Sequence, residues 1–406
     1  MPTNPIRDVA VPLHTLDPAE PDVSDLAALR DLVGNARVVC LGESAHGVSE
    51  FCRIKDRVLR FLVSELGFSA LVMESGFPEG LAVNDWVLGG AGDLERIAEA
   101  GITYGFGACA QMRAGLQWMR DRNAQHESKV RFYGMDIPGS CANPGPAVEA
   151  CLARLAPRPQ DQALRALADL GERFQAHARY RAMTPGDRAR LSHGIAELVE
   201  RAGTSGDDIA YRCALGAQLL DGHLGEGHNP REELMADTVR WILDREERIV
   251  ISAHNGHVQR GLTPIGAPAL GRILAPVLGD DMVVIGTTRA CGEIPELHFE
   301  GEPPRPSSIS LEEVPPPPPH TIDALMDAVD FPLHLANLRR VPPERIAAAT
   351  AICAQTLMLD LDPSRAFDAL VHVRRLTPAP EIFESLQDSI ARATENAGNQ
   401  DPSSPC

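Results

Sequence analysis

The chain has almost no lysine. Only Lys55 and Lys129 occur in its 406 residues, and the other 36 basic residues are arginine. Acidic residues outnumber basic ones by 56 to 38, which gives a formal net charge of −18. A charge of this sign and size argues against a nucleic-acid partner and against an anionic membrane surface. A neutral or cationic small molecule remains compatible with it.

The sequence also lacks the patterns of a secreted or membrane protein. Nine cysteines, an odd number, are scattered without any C-x-x-C pair, which is typical of free thiols in a reducing compartment. No run of about 18 apolar residues occurs, and the N-terminal MPTNPIRDVAVPLHTLDP lacks the apolar core of a signal peptide. We therefore expect a cytoplasmic protein without membrane contacts, whose oligomeric state leaves no signal in the sequence.

The most informative stretch is ARVVCLGESAHGVSEFCRIKDRVLRFLVSELG, residues 36–67. Its β-branched, apolar start predicts a buried strand over residues 36–41, ended by Gly42. Apolar residues at three- and four-residue spacing then predict a helix from Ser49, as the N-cap, to residue 66. Gly67 occupies the place of a helix C′ residue. A short loop therefore joins a buried strand to an amphipathic helix.

That loop carries a carboxylate and an imidazole, Glu43 and His46. Three later strand candidates also end in polar residues: FSALVMES ends near Glu74, VRFYGMD ends in Asp136, and IVISA runs into HNGH. The carboxyl ends of parallel strands lie along one edge of a sheet, where ligands bind in open α/β proteins. We therefore expect these residues to converge on one site.

Strands separated by helices favour an α/β fold, with a mainly parallel sheet flanked by helices. Leu-, Ala-, Arg- and Glu-rich segments predict a helical insertion that forms a lid or wall over the active-site cleft. The predicted division begins with an irregular segment at 1–24. Two α/β core parts, at 25–146 and 249–300, flank the helical insertion at 147–248. They are followed by a Pro-rich polyproline II linker at 301–320, a C-terminal α/β part at 321–380, and a helix with a disordered tail at 381–406.

This set of residues is suited to general-base chemistry. Histidine titrates near working pH and can activate water, and a carboxylate fixes its tautomer. Glu43, Glu74 and Asp136 are candidate carboxylates, and Asn255 or backbone donors near Gly47 are candidate oxyanion donors. A serine nucleophile is disfavoured, because His46 replaces the last glycine of the G-x-S-x-G motif around Ser44.

Histidines and acids also bind divalent ions. His254 and His257 are spaced as H-x-x-H, however, which matches no standard metal motif. We predict metal-independent catalysis without a cofactor.

Longer segments resemble the erythromycin esterase family. They are GESAHGVSEFCRIKDRVLRFLVSELGF, ALVMESGFPEGLAVNDWV, NPREELMADTVRWIL, AHNGHV, DDMVVIGTT and FDALVHVRRLTP. The resemblance covers roughly residues 25–378, and its most specific part is the combination of G-E-x-x-H-G, the strand ending in glutamate and A-H-N-x-H. It implies a macrolide-type esterase or a relative that acts on another small molecule.

The resemblance also implies roles for individual residues. His46 would be the general base that activates water, assisted by Glu43 and Glu74, and His254 would complete the catalytic set. The family pattern usually has arginine where this chain has Lys55, and lysine cannot reproduce a bidentate arginine contact. The residues expected on the substrate side are His257, Lys55, Arg231, Asp136 and Asn255.

Three functions remain open at this point. The first is a hydrolase that opens an ester or macrolactone by water attack. The second is a biosynthetic tailoring enzyme of the same fold, in which His46 removes a proton to drive elimination, cyclisation or acyl transfer. The third is a non-catalytic binding or resistance protein that sequesters a small molecule. The presence of a base with its carboxylates disfavours the third, because a binding protein needs no base.

Overall fold

The structure is a computed structural model that describes residues 4–141, 143–171, 174–226, 229–301 and 305–398. The strands are β1 (Ala10–Pro12), β2 (Val38–Glu43), β3 (Ala70–Gly76), β4 (Arg131–Asp136), β5 (Ile249–His254), β6 (Met282–Glu300), β7 (Arg305–Glu313), β8 (Leu333–Asn337), β9 (Ala351–Ala354), β10 (Leu357–Asp360) and β11 (Ala369–Leu376).

The helices include several single turns at strand ends. They are α1 (Ala28–Val33), α2 (Ser49–Leu66), α3 (Phe77–Val87), α4 (Leu94–Gly101), α5 (Ala110–Gln125), α6 (Pro138–Cys141), α7 (Gly145–Leu152), α8 (Asp161–Ala168), α9 (Ala176–Ala182), α10 (Pro185–Ser205), α11 (Asp208–Glu226), α12 (Arg231–Leu243), α13 (Asn255–Val258), α14 (Leu270–Leu278), α15 (Ile322–Asp327), α16 (Pro343–Ile346), α17 (Pro363–Ala366) and α18 (Pro380–Gly398). None of the helices in the described part of the chain is long and apolar enough to cross a membrane.

A nine-stranded sheet forms the centre of the protein. Its order is β1-β8-β11-β6-β2-β5-β3-β4, and β7 pairs with β6 alone. The six strands from β11 to β4 run parallel to one another, whereas β1, β7 and β8 pair in antiparallel fashion. This confirms the predicted α/β class with a mainly parallel sheet flanked by helices.

Burial on both faces explains why β2 lies in the middle of the sheet. All six of its residues are buried, and its side chains alternate between two apolar clusters. Val39 and Leu41 pack towards α2 and α5 on one face, and Val38 and Cys40 pack towards α12 and α14 on the other. A strand covered by helices on both sides needs this continuous apolar run.

Helix α2 packs its apolar stripe on the first of these faces. The predicted residues at three- and four-residue spacing are all buried, and Gly67 ends the helix at φ 71°. The predicted N-cap is one residue off, because Val48 holds that position without a side-chain cap and Ser49 begins the helix. The helix start therefore depends on packing more than on a capping side chain.

The helices between residues 145 and 226 form a cluster of their own. Their apolar side chains pack together and onto Phe77 of α3, so the segment predicted as a helical insertion is helical throughout its described elements. Its last helix, α12, returns to the sheet and packs on β4 and α14. That return brings the start of α12 to the carboxyl edge of the sheet.

Two segments differ from the sequence prediction. Part of the predicted polyproline linker at 301–320 is strand β7, which pairs with the outer half of β6 because β6 bends out of the sheet at Gly292 (φ 116°). Within the predicted irregular segment at 1–24, Ala10–Pro12 pairs with β8. The sequence prediction also omitted β8, β9 and β10. Helix α18 extends to Gly398, and the rest of the predicted disordered tail lies outside the described residues.

Candidate active site

Four neighbouring strands bring the predicted residues to one edge of the sheet. Glu43 ends β2, His254 ends β5 and Asp136 ends β4, while Glu74 lies near the end of β3. These strands are adjacent in the order β2-β5-β3-β4, and Glu43 and His254 are direct partners in the parallel register. The convergence therefore follows from the parallel arrangement of the strands.

His46 lies in the loop after β2 and is paired with a buried carboxylate. Its Nδ1 is 2.7 Å from Oε1 of Glu43, while Nζ of Lys55 donates to Oε2 of the same carboxylate at 2.5 Å. Burial alone would raise the pKa of Glu43, but the charge of Lys55 and the hydrogen bond from His46 outweigh it and lower the pKa to about 2. Glu43 therefore stays ionised and holds the proton of neutral His46 on Nδ1, which makes Nε2 the basic nitrogen.

His254 has the opposite tautomer. Its Nδ1 accepts a hydrogen bond from the backbone N–H of Gly256 at 3.0 Å, so the proton of the neutral ring is on Nε2. That Nε2 is buried and has no hydrogen-bond partner among the described residues. Burial, with the nearby His46, lowers the pKa of His254 to about 3. The ring is therefore neutral, and it lies 4.8 Å from that of His46 between centroids.

His257 is held as a cation between two carboxylates. Its Nδ1 is 2.6 Å from Oε1 of Glu232, and its Nε2 is 3.2 Å from Oε1 of Glu74. Burial opposes protonation, but the charge of Glu74 and the hydrogen bonds to both carboxylates raise the pKa of His257 to about 9. The other oxygen of Glu74 accepts the backbone N–H of His254 at 2.8 Å. Glu74 thus ties the imidazolium of His257 to the end of β5.

Arg231, the first residue of α12, joins two of the acids. Its Nε and one terminal nitrogen form a bidentate pair with Asp136 at 2.9 and 2.6 Å, and a terminal nitrogen lies 2.9 Å from Glu74. Tyr104 donates its hydroxyl to Asp136 at 2.9 Å, and the guanidinium of Arg231 lies 5.5 Å from the centre of its ring. Asp136 therefore orients Arg231, whose side chain is about 20% exposed.

The structure does not bring Asn255 to the substrate side. Its side-chain amide donates to the backbone carbonyl of Thr287 at 2.8 Å and its Oδ1 accepts the backbone N–H of Thr287 at 3.2 Å. The residue is fully buried. Both functions of the amide are thus used to join the end of β5 to β6, so in this structure the side chain of Asn255 has no donor directed to a substrate.

Comparison with known proteins identifies the family of the chain. Residues 63–376 match the family described as erythromycin esterase. The chain belongs to the erythromycin esterase family. Erythromycin esterase type II from Escherichia coli is 22% identical over 93% of this chain and 99% of its own length, and type I from the same organism is 24% identical over 88% and 95%.

Solved structures show the same fold. A succinoglycan biosynthesis protein superimposes with a TM-score of 0.76 at 22% identity, covering 92% of this chain and 96% of its own. A variant of the erythromycin esterase EreC in its open conformation superimposes with a TM-score of 0.71 at 21% identity, covering 89% and 96%. Family membership makes the chain an enzyme of the ester hydrolase class with a small-molecule substrate.

A small cavity lies beside Glu43 and Glu74. Its volume is about 50 Å³, and Glu43, Lys55 and Glu74 line its polar part. Most of the remaining wall is apolar and comes from α2, β3 and α5. His46 and His254 do not line it. The cavity therefore borders the carboxylates of Glu43 and Glu74.

Three residues of the site were not predicted from the sequence. Glu232 contacts His257, Tyr104 contacts Asp136, and Glu79 accepts the backbone N–H of Gly139 at 2.7 Å beside them, with its pKa raised by burial to about 7. Glu232 directly follows Arg231, so its place in the sequence was the available signal. In the parts of the chain that the structure describes, no group of three or more His, Cys, Asp and Glu residues is arranged to hold a metal ion.

Proposed function

We propose that the protein hydrolyses an ester or macrolactone by attack of water that His46 activates. The observation that carries this proposal is the arrangement of the three histidines. They share one edge of the sheet, and their hydrogen bonds give them three different roles: His46 presents a basic nitrogen, His254 presents an N–H donor, and His257 is a fixed cation.

His46 is suited to be the base. The ionised carboxylate of Glu43 holds its Nδ1–H and stabilises the imidazolium that forms when Nε2 takes a proton from water. The side chain is about 34% exposed, the largest exposure of the ion-paired residues in this group, so a water and a substrate carbonyl can reach it. Lys55 keeps Glu43 ionised at working pH.

His254 is suited to stabilise the oxyanion. The neutral Nε2–H of His254 is buried and has no hydrogen-bond partner among the described residues. It is therefore a donor that is already free of water and does not need to reorganise during the reaction. Its ring lies next to that of His46, so one carbonyl carbon can be attacked by the activated water while its oxygen lies near His254. Glu74 fixes the backbone of His254 in this position.

We assign Arg231 and Asp136 to substrate binding. We propose that Arg231, through its partly exposed guanidinium, contacts a polar group of the substrate while Asp136 and Glu74 hold its orientation. Lys55 and His257 act as positioning residues, because their charged atoms are used by Glu43 and by the pair Glu74 and Glu232.

The reaction proposed here needs no metal ion or cofactor. Glu43, Glu74 and Asp136 each already contact a cationic side chain, so their charge is compensated within the protein. We further propose that the enzyme acts in the cytoplasm, because the seven described cysteines are free. The names of its relatives make erythromycin the first substrate to test, with macrolide resistance as the corresponding biological role.

The test is mass spectrometry of erythromycin, a panel of lactones and simple esters after incubation with the enzyme. We expect a product that has gained one water, and His46→Ala should slow its formation by about 10²–10⁴-fold. His193→Ala is a matched control, because His193 is a highly exposed histidine on α10. His254→Phe should lower kcat by about 10²–10³-fold with little change in KM.

Other outcomes would identify the other functions. A product that has lost water or has cyclised, formed only with intact His46, would indicate the biosynthetic reaction. Saturable binding of a substrate that is returned unchanged by the wild type would indicate a binding protein. Full activity of a folded His46→Ala variant would refute the general-base proposal.

A further inference from the structure

A glutamine in a distant turn has an unusual backbone conformation. Gln355 is the first residue between β9 and β10, and its φ is +48°. This left-handed region favours glycine, and thirteen of the eighteen described residues with positive φ are glycines. Non-glycine residues in this region persist where the surrounding structure holds them, and they cluster at functional sites. We therefore expect contacts with the surrounding structure to hold Gln355 in this conformation.

That side chain is bonded to the loop that carries the base. Its Oε1 accepts the backbone N–H of His46 at 2.5 Å, and its Nε2 donates to the backbone carbonyl of Pro295 at 3.0 Å and to Glu296 at 3.2 Å. The backbone N–H of Gln355 donates to the carbonyl of Ser44 at 2.8 Å. One residue thus holds the His46 loop from both sides of Ala45 and anchors it to β6.

A buried arginine also holds the His46 loop. Arg289 donates to the carbonyl of Ser44 at 2.7 Å and also to the carbonyl of Gln355. On the other side of the loop, the carbonyl of Gly47 accepts the N–H of Ala379 at 2.7 Å. Because Ser44 and Gly47 are held by other bonds, the Gln355 side chain is the contact that fixes the backbone of His46 itself.

We propose that Gln355 is a positioning residue for His46. The left-handed turn aims its amide at the His46 loop, and the amide keeps the imidazole at its 2.7 Å contact with Glu43 and beside His254. Without it, the N–H of His46 loses its partner and the loop can move. A displacement of about 1 Å in such a group lowers turnover by about 10²-fold. The effect on turnover rests on the proposed function, in which His46 is the base.

The test compares three variants by steady-state kinetics on the best substrate of the panel. Gln355→Gly removes the side chain but fits the positive φ, so its thermal unfolding midpoint should stay near that of the wild type while kcat falls by about 10–10²-fold with KM nearly unchanged. Gln355→Glu keeps an oxygen for the His46 N–H but loses the donor to Pro295 and Glu296, so kcat should lie between those of Gln355→Gly and the wild type. Its added carboxylate should also move the acidic limb of the kcat/KM profile to higher pH. Thr356→Ala, in the exposed neighbour within the same turn, is the control and should leave kcat unchanged.

A second measurement does not depend on turnover. Diethyl pyrocarbonate modifies accessible imidazoles, and peptide mass spectrometry gives the rate at His46. We expect about threefold or faster modification of His46 in Gln355→Gly and no change in Thr356→Ala, because the freed loop opens more often. An unchanged modification rate in Gln355→Gly, or an unchanged kcat, would overturn the proposal. If the wild type hydrolyses no substrate, the proposed function fails, while the modification rates still decide whether Gln355 positions His46.

Discussion

The ion pair between Lys55 and Glu43 permits a quantitative prediction. Nζ of Lys55 is 2.5 Å from Oε2 of Glu43, and the two side chains are only about 12% and 9% exposed. Replacing lysine by methionine, Lys55→Met, keeps an unbranched side chain that is one atom shorter but leaves a buried carboxylate with one partner fewer. Such a loss is costly because the desolvation of Glu43 is no longer compensated.

The magnitude follows from the pKa of Glu43. Its pKa falls from an ordinary value of 4.5 to about 2 in the folded protein. A difference of about 2.5 units at about 1.4 kcal/mol per unit corresponds to about 3–4 kcal/mol of stabilisation of the ionised form. Lys55 is the largest favourable cause of this shift, so we expect Lys55→Met to lower the free energy of unfolding by about 2–3 kcal/mol at pH 7.

The pH dependence of this loss is specific. Because folding lowers the pKa of Glu43, the stabilisation is fully present above pH 4.5 and disappears as the pH falls towards 2. The wild type and Lys55→Met should therefore differ most near neutral pH and converge in acid. Urea unfolding at a series of pH values measures this difference, provided that both proteins unfold in one transition.

The chain offers a matched control for this experiment. Lys129 is its only other lysine, and its ammonium donates to backbone carbonyls of Asn123 and His126 instead of a carboxylate. We expect Lys129→Met to show no comparable pH-dependent change. A Lys55→Met loss below about 1 kcal/mol, or one that is the same at pH 7 and pH 3, would refute the argument that Lys55 compensates the buried charge of Glu43.

Three further predictions concern the rest of the protein. Glu232→Gln weakens the hold on the His257 cation, whose pKa is raised to about 9, so it should destabilise the protein below pH 6.5 and lose this effect as the pH rises through 9 in urea unfolding. The buried His334 and His372 have pKa values lowered to about 4 and 3, so thermal unfolding midpoints should fall as the pH drops below 6.5, and His372→Gln should reduce that slope. Hydrolysis should survive exhaustive chelation; loss of activity with rescue by one metal ion would contradict the metal-free proposal.

Local sequence patterns predicted the edge of the sheet on which the site lies. Glu43, Asp136 and His254 each end a short apolar run. Because the polar residue that follows a buried parallel strand must lie at its carboxyl edge, the order of residues along the chain was sufficient to place them. The order of the strands across the sheet could not be predicted, because strand pairing depends on contacts between segments about 200 residues apart.

The parts that sequence reasoning missed depend on long-range contacts. β7 lies in a proline-rich stretch, and it is a strand because the outer half of β6 extends beyond the main sheet and offers it an edge. Gln355 is one glutamine in a two-residue turn, and its contact with His46 spans 309 residues. Nothing in the local composition distinguishes such a residue from an ordinary exposed glutamine. The contacts of Asn255 could not be predicted for the same reason, because its partner Thr287 lies on another strand.

The charges of the site also support a base that gains a proton. Its contacts join four carboxylates to three cations: Glu43, Glu74, Asp136 and Glu232 with Lys55, Arg231 and His257. With neutral His46 this network has one negative charge in excess, and the charge is balanced when His46 accepts the proton of water. The carboxylates cannot compensate the negative charge of the oxyanion that forms on the reacting carbonyl. In the proposed mechanism the neutral N–H of His254 stabilises that oxyanion, so proton uptake at His46 and oxyanion stabilisation at His254 are complementary parts of one reaction.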